Sequence, residues 1–305
     1  MTGVAAPRPG DRVAVVAPSG PVDPAGLDAG VRWLRGLGLD VRLGAHVRDR
    51  HGFFAGDDAA RAADLRDAWC DPEIAAVLCA RGGYGAVRVL DHLDWTELAA
   101  ARPKLLHGSS DITALHVAFG ARLAVPTSFG PMVATLLADP DPVTAAATRT
   151  ALLGEPSGVS GGRPLVPGRA AGPLTGGNLS LLASMLGTPY APPPARGRIA
   201  LLEDVGEEPY RVDRMLTQLL MSGWLDGVAG IALGSWTRCG DPDRLSAVLG
   251  ERLGGLGAPV VAGLPVGHGA PQHTVRLGAA ALLDAGSGTL TPADPGDPSE
   301  GGPCR

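Results

Sequence analysis

Three short apolar segments, VAVVA at 13–17, IAAVLC at 74–79 and KLLHG at 104–108, each stop at small or polar residues where another pattern begins, and this repeat narrows the available folds more than any other feature. Apolar runs of this length, without alternation, read as strands covered on both faces. The segments Pro24–Leu37 and Asp57–Trp69 carry apolar residues at helical spacing, and a short strand, DVRLG, follows the first of them. Strand, helix and strand in alternation call for a parallel sheet with covering helices.

With 305 residues, 45% of them hydrophobic, the chain can bury one large core or two modest ones. The stretch GEPSGVSGGRPLVPGRAAGPLTGG is dense in Gly and Pro, which argues against another long regular element. It is read as a connection over 155–172, dividing an N-terminal α/β domain (1–154) from a second domain (173–290). In the second domain RIALLE at 198–203 and GVAGIALGSW read as strands, ASMLGTP as a helix end, and PYRVDRMLTQLLMSGWL as a helix opened by Pro209. The polar, Pro- and Gly-rich tail over 291–305 is expected to fray.

Lys and Arg number 26 against 31 Asp and Glu, a formal charge of -5, so no general attraction to nucleic acid or anionic membranes is built in. No uninterrupted apolar run approaches membrane-spanning length and no basic-then-apolar leader opens the chain, so a cytoplasmic location is expected. Cys70, Cys79, Cys239 and Cys304 lack the spacing of a zinc site or the density of a disulfide framework, and free thiols are expected.

Four segments carry residues suited to chemistry. ARGGYGAVR at 80–88 leaves a strand through glycines, which let backbone N–H groups approach an anion or a developing oxyanion, although the same glycines can simply form a turn. HGSSDITALH at 107–116 puts Ser109, Ser110 and Asp111 at a strand-to-helix junction, where they can cap the helix or present a nucleophile. No GxSxG motif accompanies them. Glu203 ends an apolar strand in LLEDVGEEPYRVDRML and can orient a histidine or stand at a strand rim. In AGLPVGHGAPQHTVRLG, His268 lies between two glycines and is a better candidate base than His273, both also being able to serve as ordinary loop hydrogen-bonders.

Taken in order with TSFGPM and GGNLSLLASMLGTP, these segments resemble the serine LD-carboxypeptidase, or muramoyltetrapeptide carboxypeptidase, family, which includes microcin C immunity peptidases; the likeness spans about residues 11 to 285. The resemblance implies Ser110 as nucleophile, His268 as base and Glu203 as its orienting carboxylate. Gly82 and Gly83 match the oxyanion region, with the Gly83 N–H the preferred donor, and Asp111 supports the nucleophile. An N-terminal layered parallel-sheet domain bearing the serine and a strand-rich α+β C-terminal domain bearing Glu203 and His268, meeting at the active site, are further implications. So are a murein-peptide substrate, a homodimer, and catalysis with neither cofactor nor metal.

Arg81, Arg211 and Arg276 are candidate partners for a substrate carboxylate, and Trp236 is a candidate substrate contact. Ser109, Phe129 and Arg276 depart from residues common at their positions. An immunity-type peptidase acting on a peptide-nucleotide would want an aromatic platform, for which Tyr190, Trp224 and Trp236 are sources. A noncatalytic small-molecule binding protein is a third expectation.

Overall fold

The computed structural model describes residues 4–154 and 156–293, and its contacts divide the chain into two units. The first comprises the chain as far as Pro156 together with Thr188–Tyr190 and Ala270–Arg276; the second comprises Ser157–Gly187, Ala191–Gly269 and the chain from Leu277 onward.

The first unit runs β1 (Arg12–Val16), α1 (Pro24–Gly36), β2 (Asp40–Leu43), α2 (Asp58–Cys70), β3 (Ile74–Cys79), α3 (Ala86–Val89), α4 (Trp95–Ala100), β4 (Leu105–Gly108), α5 (Thr113–Leu123), β5 (Thr127–Phe129) and α6 (Pro142–Leu153). Asp23, Asp57 and Asp141 accept from N–H groups in the first turns of α1, α2 and α6, and Pro24 and Pro142 open two of these helices, where a missing N–H does no harm. Five strands lie parallel in the order β2-β1-β3-β4-β5, with the strand Val275–Leu277 beside β5. The chain moves from β1 outward to β2, then returns to β3 on the other side. In an open parallel sheet the carboxyl ends of the strands at such a reversal, here β1 and β3, are the usual place for a site.

Val13, Val15, Ala17, Ala76, Leu78 and Ala80 share a core with Leu27, Val31 and Leu34 of α1. Elsewhere in the unit Trp69 meets Phe119 edge-on at 4.7 Å between ring centroids. The glycine-rich exit of β3 is a turn ahead of the four-residue α3, with φ values of 121° at Gly83 and 115° at Gly85.

The second unit holds β6 (Arg163–Val166), β7 (Arg169–Asn178), α7 (Leu179–Met185), β8 (Ile199–Val205), α8 (Pro209–Met221), β9 (Gly230–Thr237), α9 (Pro242–Leu253) and β10 (Val260–Ala262). After Val275–Leu277, which is β11, come β12 (Ala280–Asp284) and β13 (Thr289–Pro292). The sheet order is β13-β12-β7-β8-β9-β10-β6; β7 to β10 are parallel, while β6, β12 and β13 pair antiparallel.

The Gly- and Pro-rich stretch expected to be irregular therefore contains β6 and the start of β7. Its first half, Arg169–Pro173, pairs with β12, and its second half, Leu174–Asn178, pairs with β8. Pro173 stands where one ladder gives way to the other. Partners distant in sequence outweigh the weak local strand propensity. Thr291 and Pro292, expected in a frayed tail, complete β13, and residues 294–305 lie outside the described residues.

Cys70, Cys79 and Cys239 are free thiols, and Cys304 lies outside the described residues. Among the described residues no helix is long and apolar enough to cross a membrane.

Candidate active site

In the first unit, Ser110 opens a single 3-10 turn between β4 and α5, and its φ of 61° places it in the left-handed region. A non-glycine residue held there stores about 1–2 kcal/mol, a strain familiar from nucleophiles on sharp strand-to-helix turns. Ser109, which precedes the turn, makes no side-chain cap hydrogen bond. The glycine loop passes directly over Ser110: a Cβ placed on Gly82 would lie 2.9 Å from Ser110 Cβ and 3.1 Å from its Oγ. From the other side, the Gly20 N–H donates to the Gly82 carbonyl at 3.1 Å.

Asp111 turns its buried carboxylate toward the loops, accepting from Ser19 Oγ at 2.5 Å and the Ala86 N–H at 2.7 Å. Arg61, also buried, donates to the carbonyls of Pro18 at 2.6 Å and Gly85 at 3.0 Å and pairs with Asp58. This polar knot fastens together the exits of β1, β3 and β4. Burial raises the Asp111 pKa against the opposing pull of the Ser19 and Ala86 hydrogen bonds. His107 and His116 are both buried, and desolvation lowers the pKa of each to about 4, so they remain neutral near pH 7. Each is engaged with backbone: His107 Nε2 with the Pro131 carbonyl at 2.7 Å and His116 Nε2 with the Gly108 carbonyl at 3.0 Å.

In the second unit, Glu203 lies near the end of β8 with 0% exposure. Its Oε2 accepts from His268 Nδ1 at 2.7 Å and from the His268 backbone N–H at 3.1 Å. A carboxylate partner fixes the hydrogen on Nδ1 and leaves Nε2 with its lone pair. Thr237 Oγ1 donates to the His268 carbonyl, tying the loop to β9. Gly267 permits the approach: its φ is 111°, and a Cβ there would come within 2.3 Å of Glu203 Oε2. Burial lowers the His268 pKa, but the hydrogen bond and charge of Glu203, aided by Asp204, leave it above the ordinary value of 6.5. The imidazole is 23% exposed. The pair can therefore serve as an oriented base with a strengthened affinity for a proton.

The structure thus brings Gly82 against Ser110 in one unit and Glu203 against His268 in the other. Arg81 is half-buried beside Gly20 and Gly83 and donates to the Pro21 carbonyl at 2.9 Å. Arg211 is exposed on α8, with Glu207 at 3.6 Å and Tyr210 Oη at 3.2 Å. Arg276 donates to the Ala151 and Gly154 carbonyls at the C-terminal end of α6, both at 3.2 Å. Those carbonyls bind a cation well because they form the negative end of a helix.

Trp236 is half-buried at the end of β9, whereas Trp224 is packed inside and Tyr190 donates to the Leu90 carbonyl at 2.9 Å and meets Trp95 at a tilt, 6.1 Å between ring centroids. Phe129 is core, beside His116. Ser19, Arg61, Asn178 and Asp204 received no role from sequence, although VAPSG and GGN hold two of them. Asn178 looks locally like a helix cap, and it is one for α7, but its amide also reaches the Glu203–Asp204 pair.

Residues 13–130 match the LD-carboxypeptidase N-terminal domain and residues 171–283 the LD-carboxypeptidase C-terminal domain. A Streptomyces coelicolor protein is 56% identical over 293 residues, covering 93% of each chain. The murein tetrapeptide carboxypeptidase of Pseudomonas aeruginosa is 37% identical over 289 residues, covering 90% of this chain and 93% of that one. The solved muramoyltetrapeptide carboxypeptidase from Oxalobacter formigenes superposes with a TM-score of 0.82 at 32% identity, covering 93% of this chain and 99% of that one. The microcin C7 self-immunity protein MccF, in its wild-type apo state, shares the fold with a TM-score of 0.88 at 23% identity, over 96% of this chain and 99% of that one.

Proposed function

Because the chain belongs to the LD-carboxypeptidase family, a family of serine peptidases, we propose that it hydrolyses the terminal L-to-D peptide bond of murein tetrapeptides and releases D-alanine. The observation that carries the proposal is the buried Glu203 carboxylate accepting from His268 Nδ1, which leaves Nε2 free to take a proton.

In the proposed reaction His268 takes the Ser110 hydroxyl proton as Ser110 Oγ attacks the scissile carbonyl, and Glu203 holds the imidazolium that forms. The Gly83 N–H is the proposed donor to the oxyanion, a role in which one donor contributes about 3 kcal/mol. His268 then returns its proton to the leaving amine of D-alanine. Water attacks the acyl-enzyme with His268 again as base, and Ser110 is regenerated. Asp111 supports this chemistry indirectly, by fastening the glycine loop.

The peptide-nucleotide alternative asks for an exposed aromatic platform. Tyr190 and Trp224 are taken up by packing, which leaves the half-buried Trp236 as the source among these three. Incubation with purified tetrapeptide stereoisomers, followed by mass spectrometry, tests the proposal: D-alanine is expected only from the D-terminated isomer, and Ser110→Ala is expected to abolish its release. Turnover surviving in Ser110→Ala would overturn the assignment of the nucleophile.

A further inference from the structure

Two carboxylates, Glu203 and Asp204, are neighbours in sequence and both buried, at 0% and 2% exposure. Such a pair is stable only where hydrogen bonds compensate each charge. Asp204 has ample donors: Ser180 N at 2.9 Å, Ser180 Oγ at 2.7 Å and the Val205 N–H at 2.8 Å. Glu203 Oε2 is engaged by His268, so its other oxygen must be held by something else.

Asn178, 3% exposed, reaches both acids with one amide: Nδ2 donates to Glu203 Oε1 at 3.3 Å and to Asp204 Oδ1 at 2.9 Å. Its Oδ1 accepts from the Leu181 N–H at 3.2 Å, so the side chain cannot turn without uncapping α7. One end of the amide is fixed by a helix and the other spans two anions.

We infer that Asn178 is a positioning residue, whose amide holds Glu203 by Oε1 so that Oε2 stays directed at His268 Nδ1, and keeps Glu203 apart from the Asp204 charge. The inference rests on the relay proposed above. Without the amide, the Glu203 carboxylate can rotate, and repulsion from Asp204 drives it off the imidazole. The groups facing His268 that set its affinity for a proton are Glu203 and Asp204 of β8, which raise it, and Arg238 beyond β9, which lowers it. Burial opposes the charged ring, so a misdirected Glu203 lets the pKa fall.

The test uses Asn178→Ser, which preserves an N-cap acceptor but not the bridging donor, and the near-isosteric Asn178→Asp, which also keeps the cap. The His268 titration is followed by nuclear magnetic resonance in the full chain, a readout independent of substrate. In Asn178→Ser the His268 pKa is expected to fall below its wild-type value, and in both variants the low-field Nδ1–H resonance is expected to broaden or vanish. Turnover of tetrapeptide is expected to drop about tenfold to a hundredfold with KM little changed, by analogy with the loss of an outer partner that orients a metal-bound histidine.

An unchanged or raised His268 pKa in folded Asn178→Ser, or an Nδ1–H resonance left sharp in both variants, would overturn the inference, since Asn178 would then only cap α7 or mute the Glu203 charge. Wild-type protein that leaves tetrapeptide intact counts against the substrate proposal alone, and the titration still decides the role of Asn178.

Discussion

A methyl group added at Gly82 is the sharpest probe of the nucleophile's seat. The substituted Cβ would sit 2.9 Å from Ser110 Cβ, where carbon atoms prefer roughly 3.5–4.0 Å, so about 0.6–1 Å of movement must be found. Ser110 Cβ cannot yield by rotating, because the φ of 61° fixes its direction. Nor is the loop free to lift, since the Gly82 carbonyl is held by the Gly20 N–H at 3.1 Å. The movement therefore falls on Ser110 Oγ and on the neighbouring N–H groups together.

A displacement near 1 Å in a reacting group lowers rate about a hundredfold. Gly82→Ala carries no penalty of left-handed backbone, so its effect on folding is expected to stay within about 2 kcal/mol, in the range of modest overpacking. The assay pairs D-alanine release with the rate at which a fluorophosphonate labels Ser110, and a thermal melt verifies the fold. Both rates are expected to fall about a hundredfold while the protein remains folded. A folded Gly82→Ala that labels and turns over like wild type would refute the reasoning, because Gly82 would then not press on the nucleophile.

Three other outcomes follow from the geometry. As pH falls through the raised His268 pKa, above 6.5, the base is protonated and kcat/KM should drop; Glu203→Gln removes the partner that raises it, so the acid limb should move to lower pH while the maximum falls by about four orders of magnitude. A limb that stays in place would argue that another group titrates. Arg276→Ala should lower stability by about 1–2 kcal/mol through the uncapped end of α6 and leave KM within about twofold, whereas a large KM increase would assign Arg276 to the substrate carboxylate. His107 and His116 protonate at about 4 in the fold but near 6.5 when unfolded, so the unfolded chain gains protons first as pH falls, and stability should decline between those values by up to about 3 kcal/mol for each. Urea midpoints independent of pH across that window would contradict their burial as neutral rings.

Much of this was legible in the residues themselves. Apolar runs of strand length between helical patterns marked β1, β3, β4 and β8, and Glu203 and His268 could be singled out by their settings before any geometry was known. The errors have a common source. β7 was missed because Gly and Pro report local preference, whereas that strand is made by β12 on one half and β8 on the other. Thr291 and Pro292 were assigned to a fraying tail on their Pro- and Gly-rich surroundings, yet β12 pairs them into β13.

Short-range chemistry, namely which segments are apolar, where an aspartate can cap and where only glycine bends, is written along the chain and belongs to the sequence alone. What a side chain does with its polar atoms is decided by residues far away in number. Asn178 is a helix cap in any local view and becomes a bridge between two acids only because β7 lies beside β8. Arg276 resembles a free cation until α6 supplies the carbonyls it meets, and Asp111 resembles a cap until Ser19 and Ala86 arrive from two other strand exits. Hydrogen bonds act over a few ångströms, so their partners are known only once the fold has brought distant segments together.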